Sequence, residues 1–215
     1  MRKKECRLLP TLEEAVSELE TAGTMNPGPW TAHSRNAGLA ARAIARRCGL
    51  DGDKAEVLGC LHDIGRRVGV VSISRHVLEG YRYCMRRGWD EAARIALTHS
   101  YPIGAAELDA PQSDEEREIA ALLQDVEWDD YDRLICLCDS LALSNGFCLM
   151  EKRWVDVCLR YGLLPHTLER WNALLGMAHD FEARMGCCLY DVLPGVKETT
   201  FQPLARWTPP AVNKT

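Results

Sequence analysis

Apolar residues recur at intervals of three and four almost throughout this chain, the spacing that lines one face of an α-helix, and strand-like alternation is nearly absent. Thr11-Leu12-Glu13-Glu14 reads as a capped helix start, because a hydroxyl and a carboxylate three residues apart can satisfy the first free amides. That helix is expected to run to about Thr21. Asn26-Pro27-Gly28-Pro29-Trp30 predicts a rigid loop. A second helix is expected from Thr31 to Cys48, ended by Gly49, and a third from Asp51-Gly52-Asp53 to Asp63, stopping at Gly65. The same periodicity predicts helices over 74–87, 90–99, 114–125, 130–143, 151–161 and 166–185, with Gly88 separating the first two of these. After Pro194 the prolines Pro203, Pro209 and Pro210 predict an irregular tail. No internal repeat or linker interrupts the pattern. The expectation is one all-α domain over 1–215, a helical bundle with its core at about 30–143 and C-terminal helices within 151–192 packed on it.

Composition narrows the class. Hydrophobic residues make up 47% and charged residues 27%, the balance of a globular domain. A formal net charge of -5 argues against a general nucleic-acid binder, while leaving room for a local basic pocket. No apolar run approaches the roughly 20 residues that span a membrane, and the basic start at Met1–Pro10 has no apolar segment of signal type after it. A cytoplasmic protein without membrane or nucleic-acid partners is expected. The ten cysteines are scattered and never spaced Cys-x-x-Cys, so they are expected to be small, reduced core residues.

The helix faces change the picture. In the second helix His33, Ala37, Ala40, Ala41, Ile44 and Cys48 share a stripe from which Arg35, Arg42 and Arg46 diverge, so His33 points inward. His62 shares a face with Ala55, Leu58 and Gly59. His99 does so with Ala92, Ile95 and Ala96, and Asp139 aligns with Ile135 and Ala142. His76 is followed one turn on by Gly80, which leaves space beside it. An inward carboxylate is costly unless it is paired or coordinates a cation, which applies to Asp63 and Asp139. His33, His62, Asp63, His76, His99 and Asp139 together read as a metal site assembled from several helices. Imidazole with carboxylate suits iron, manganese, zinc, nickel or cobalt. Six ligands can hold one ion or two, with Asp63 bridging a pair. A second dipeptide, His179-Asp180, sits in an ordinary amphipathic pattern and reads as structural, as does His166.

The ordered set His33, His62-Asp63 and Asp139 resembles the HD-domain metal-dependent phosphohydrolases over about residues 30 to 143, and His62-Asp63-Ile64-Gly65 is similar to the family's central signature. The flanking regions resemble a small branch of that family and add no chemistry. The resemblance implies an HD-domain-like helical bundle. His76 and His99 resemble the extra histidines of the dinuclear branches, the diadenosine-tetraphosphate hydrolase-like and cyclic-dinucleotide phosphodiesterase enzymes. Gly80 and Ser100 fit the first better, since Gly80-Tyr81 is followed by Arg82 where the second has proline. The signatures of guanosine-tetraphosphate hydrolases are not evident.

The expected reaction is hydrolysis of a small phosphate ester or nucleotide by a metal-activated water. Asp63, Arg66 and Arg67 are the candidate catalytic residues, the arginines as phosphate holders. Arg75 is a weaker candidate, and Trp30 can stack on a base or pack in its loop. Two other classes stay open: the HD-fold di-iron oxygenases, which share the ligands, and a non-catalytic nucleotide-binding protein.

Overall fold

Helix α1 (Leu12–Met25) begins with the capping box that its sequence requires. Thr11 Oγ1 accepts from the Glu14 amide at 3.2 Å, and Glu14 Oε2 accepts from the Thr11 amide at 2.7 Å. The computed structural model describes residues 9–203. The basic start at 1–8, with Cys6, and the prolines Pro209 and Pro210 lie outside the described residues. Helix α1 runs a turn beyond Thr21, because Ala22 is buried after Ala15 and Leu19 and extends their stripe.

Helices α2 (Trp30–Arg47) and α3 (Gly52–Leu61) form the central pair. Asp51 caps α3, its carboxylate accepting from the amides of Asp53 and Lys54 at 2.9 and 3.0 Å. The two backbones meet at glycines. A Cβ on Gly59 would lie 2.5 Å from the Gly38 Cα, and one on Gly38 would lie 2.8 Å from the Glu56 carbonyl oxygen. Only hydrogen fits between them, so α2 and α3 approach far closer than helices with side chains at the crossing.

Gly65 does not end the third helix as a left-handed cap. Helix α3 stops at Leu61, and after His62 and Asp63 the chain enters a 3-10 turn, Ile64–Val68. Gly65 sits inside that turn, pressed on helix α4 (Ile73–Arg87), where a Cβ would overlap the His76 carbonyl oxygen. Gly80 leaves no open space beside His76 either. A Cβ on Gly80 would stand 3.3 Å from the Gly65 amide nitrogen and 3.2 Å from the Ala96 methyl.

Helix α4 ends at Gly88, whose φ of 70° is the left-handed stop, and α5 (Asp90–Thr98) follows. A 3-10 turn, Gly104–Leu108, leads to α6 (Asp114–Gln124) and α7 (Asp130–Leu141). The seventh helix ends two residues before 143. Ala142–Leu143 (β1) pairs antiparallel with Gly146–Phe147 (β2) around Ser144-Asn145, with Gly146 at φ 141°. This hairpin was hidden because two-residue strands leave no alternation to read. Helices α8 (Met150–Tyr161) and α9 (Thr167–Met185) follow, and α9 lays Leu174, Met177, Ala178 and Phe181 into the core. The tail after Pro194 is not wholly irregular: a short helix, α10 (Val196–Thr200), forms there and buries Val196 and Thr199.

The fold is therefore all-α apart from one small hairpin. Its main core joins α1, α2, α3, α5, α7 and α9, and a smaller cluster of Val77, Leu78, Leu97, Tyr101, Ile119 and Leu123 lies under α4 to α6. The nine cysteines among the described residues are unpaired. Cys60, Cys84, Cys136, Cys138 and Cys148 are buried core residues, whereas Cys188 is exposed. Among the described residues no helix is long and apolar enough to cross a membrane.

Candidate metal centre

The close α2–α3 crossing has a direct consequence at its open end. His33 lies on α2, His62 follows the last turn of α3, and their ring centroids are 5.3 Å apart. The Gly65 turn against α4 brings in His76, and the last turn of α5 delivers His99. His62 and His99 are 5.0 Å apart, and His76 and His99 are 5.5 Å apart, centroid to centroid. Asp139, near the end of α7, closes the group from the far side, its Oδ1 2.9 Å from His33 Nε2. The structure brings all six predicted residues together. The four histidines and Asp63 are buried, while the Asp139 side chain is 27% exposed and opens on a cleft.

Every histidine of the set uses Nδ1 in the same way. The ring nitrogen of His33 faces the Ala142 carbonyl at 3.1 Å, that of His62 the Gly59 carbonyl at 2.6 Å, and that of His76 the Ser72 carbonyl at 3.2 Å. His99 Nδ1 faces the Ile95 and Ala96 carbonyls at 3.2 and 3.0 Å. A carbonyl only accepts, so Nδ1 carries the hydrogen and Nε2 keeps its lone pair. All four lone pairs point into the centre. Outer-sphere carbonyls orient metal-binding histidines in this manner.

The centre is short of donors. His62 Nε2 and Asp63 Oδ1 are buried and make no hydrogen bond. His76 Nε2 and His99 Nε2 stand 3.4 Å from each other and 3.2 and 3.5 Å from Asp63 Oδ1, acceptor against acceptor, while the Ser100 hydroxyl, 2.9 Å from His99 Nε2, can donate to that nitrogen alone. Such an arrangement is unfavourable unless a cation sits among the lone pairs. Two overlapping donor groups fit one: His33, His62 and Asp139, and His62, Asp63 and His99, each with ligand atoms within 4.8 Å of one another. The residues present fit a divalent metal.

The electrostatics agree. Burial drives the His62 imidazole down to about 4, against the opposing pull of Asp63, so the ring is neutral near pH 7. His76 is lowered by burial first and by Arg66 second. Burial opposes ionisation of Asp63, but the surrounding groups, the Arg66 guanidinium first among them, outweigh it and hold the carboxyl well below the usual range. Arg66 Nε donates to Asp63 Oδ2 at 2.6 Å.

The other candidates are placed elsewhere. Arg67 turns away from the centre, its guanidinium 4.0 Å above the Tyr83 ring and its Nη2 3.2 Å from Met25 Sδ. Arg75 pairs with Glu79 and Glu115 at the surface. Trp30 packs into the core, with Nε1 donating to the Asn26 carbonyl at 2.8 Å. His179 and Asp180 are exposed on α9, and His166 contacts Asp109 at 3.3 Å.

Sequence reasoning passed over the cleft in front of the centre. Besides Arg66, His76, His99 and Asp139, it is lined by Arg153 and Arg160 of α8 and by Arg170 of α9. Arg153 Nη2 lies 3.2 Å from Asp139 Oδ1 and 3.5 Å from His33 Nε2, the place of a counter-cation to the carboxylate and of a donor to the imidazole. The available signal was the spacing of Arg153, Asp156 and Arg160, three and four residues apart, which gives α8 one charged stripe.

This geometry defines an all-α fold with a centre built from histidines and aspartates. A model of the HD domain family matches residues 31–143, more than half of the chain, and the chain belongs to that family. No curated protein and no solved structure matches it.

Proposed function

We propose that this protein is a metal-dependent phosphohydrolase with a two-ion centre, acting on a small phosphate ester or nucleotide. The observation that carries this reading is the convergence of four histidine Nε2 lone pairs on two carboxylates, with His62 Nε2 and Asp63 Oδ1 left without donors. His33, His62, Asp63 and Asp139 would hold one ion, and Asp63, His76 and His99 the other. Iron, manganese, zinc, nickel and cobalt suit this set. A bound divalent ion supplies Lewis acidity toward a phosphoryl oxygen and a water of lowered pKa.

The protein's own residues do the rest. The main-chain carbonyls keep the imidazoles in one tautomer and one orientation. Arg66, anchored to Asp63 through Nε and lining the cleft, is placed to hold a phosphate oxygen with its terminal amino groups. Arg67 contributes to the packing of α1 and α4 through Met25 and Tyr83. The partner is a small phosphorylated molecule, with no role for a nucleic-acid polymer.

The test is to purify the protein, measure its metal content, and assay it on a panel of phosphate esters and nucleotides. Metal-dependent release of phosphate supports the proposal; a metal-loaded protein that hydrolyses nothing on the panel sinks it. The absence of thiolate ligands gives a second reading some weight, since an all-nitrogen-and-oxygen set also suits two irons that use oxygen. A mixed-valence paramagnetic signal with oxygen-dependent turnover of a polyol or an organophosphonate would replace hydrolysis by that reaction.

A further inference from the structure

Helix α8 buries Met150 and Trp154 in the core but uses another part of its surface unusually. Its apolar Val155 and Leu159 are 51% and 61% exposed, while the charged stripe of Arg153 and Arg160 lines the cleft. A helix docked for packing alone places these faces the other way round. The cleft has a cavity volume of about 100 Å³, room for several waters or for one compact anion, and it opens to solvent.

Its charged groups are arranged for an anion. Asp156 spaces the two arginines of α8, its Oδ2 3.2 Å from Arg153 Nη1 and 3.0 Å from Arg160 Nη2. The second approach lacks hydrogen-bond alignment, so Arg160 Nη2 is a buried donor without a hydrogen bond. Arg160 Nη1 donates to the Tyr161 hydroxyl at 3.4 Å, and the same hydroxyl neighbours Arg66 from the other wall. Two guanidinium groups on different elements thus reach one oxygen at the cleft. Four arginines (Arg66, Arg153, Arg160, Arg170) face four carboxylate partners (Asp63, Asp139, Asp156, Glu107), which leaves the cleft near neutral. Each divalent ion taken up by Asp63 and Asp139 adds two positive charges and competes for the carboxylates that hold Arg66 and Arg153.

We propose that Arg160, with Arg153 and Arg66, forms a dianion site that grips the phosphate of a phosphomonoester, so that α8, outside the segment shared with the family, sets the substrate class. This rests on the phosphohydrolase reading for its chemistry, but not for its binding. A monoester carries the second negative charge that a diester lacks, and bidentate guanidinium contacts reward it.

The experiment titrates the metal-loaded protein with inorganic phosphate and with dimethyl phosphate by calorimetry, for the parent chain, Arg160→Gln and Arg160→Lys, alongside metal content and thermal midpoint. The parent is expected to bind phosphate and to discriminate against dimethyl phosphate by roughly tenfold or more. Arg160→Gln should weaken phosphate binding by a similar factor, and Arg160→Lys by less, with metal content unchanged. Should Arg160→Gln fail to fold, the charge-preserving Arg160→Lys decides, since it still loses the fork that holds two oxygens. Failure of the parent to bind phosphate, equal affinity for both probes, or binding indifferent to Arg160 overturns the proposal. If phosphate binding depends on Arg160 while no ester is hydrolysed, the anion site stands and the reaction falls. Turnover with a KM untouched by Arg160→Gln sinks the site alone.

Discussion

Asp63 is assigned to both ions of the proposed centre, and His76, 3.2 Å from its Oδ1, to one of them. They should behave differently when replaced. Replacing Asp63 by asparagine weakens the carboxylate shared by the two ions and is expected to abolish retention of both. Replacing His76 by glutamine is expected to leave about one ion per chain, in proportion to the ligands lost. Metal analysis after gel filtration distinguishes the two, and equal loss in both variants would contradict a two-ion centre. At this scale the sequence was a good guide. Each of the six side chains lay on an apolar stripe of its helix or beside one, and burial of charge without a partner is expensive enough to be noticed. It misled where a neighbour's position depends on packing. Arg66 and Arg67 are adjacent in sequence, yet a 3-10 turn sends one to Asp63 and the other to Tyr83.

At the scale of elements, the centre depends on two places where backbone meets backbone. Gly59 against Gly38 sets the separation of α2 and α3, and Gly65 against Gly80 sets that of the 3-10 turn and α4. Gly59→Ala should push α2 from α3, destabilise the fold by about 2 kcal/mol and weaken metal binding, because His33 and His62 separate with their helices. Denaturant unfolding and metal titration measure the two effects. Metal affinity unchanged despite that loss of stability would show that the crossing does not position the ligands. These contacts were illegible beforehand, since a glycine in a helical pattern looks like a weak spot until its partner is known. The hairpin was illegible for a similar reason: its main contribution to the site is one carbonyl, that of Ala142 on His33 Nδ1. The charged face of α8 was visible as spacing, but only its inward orientation gives it meaning, and leaving Val155 and Leu159 51% and 61% exposed forgoes about 1 kcal/mol for each.

For the whole molecule, metal and fold are linked. An ion that binds only the folded chain stabilises it by about 3 kcal/mol at a hundredfold excess over its Kd. For a chain of this length that is roughly 5–10 °C in Tm. Removing the ion with a chelator should therefore lower the melting point by that amount, and a melting curve blind to the chelator would mean that the centre holds nothing. The overall architecture was readable because helical periodicity persists over the whole pattern; the assembly of the cleft was not, because it joins α8 and α9 to residues far away in sequence. The Ala142 carbonyl and His33 illustrate what that distance implies for time. They are held together although 109 residues separate them along the chain, and the remaining ligands come from α3, α4, α5 and α7. An unfolded chain offers no such cage, so capture of the ion must come after the helices have docked. Metal should then leave the folding rate nearly unchanged and act almost entirely by slowing escape from the native state, a signature that stopped-flow unfolding with and without the ion would read as a change in a single arm of the chevron.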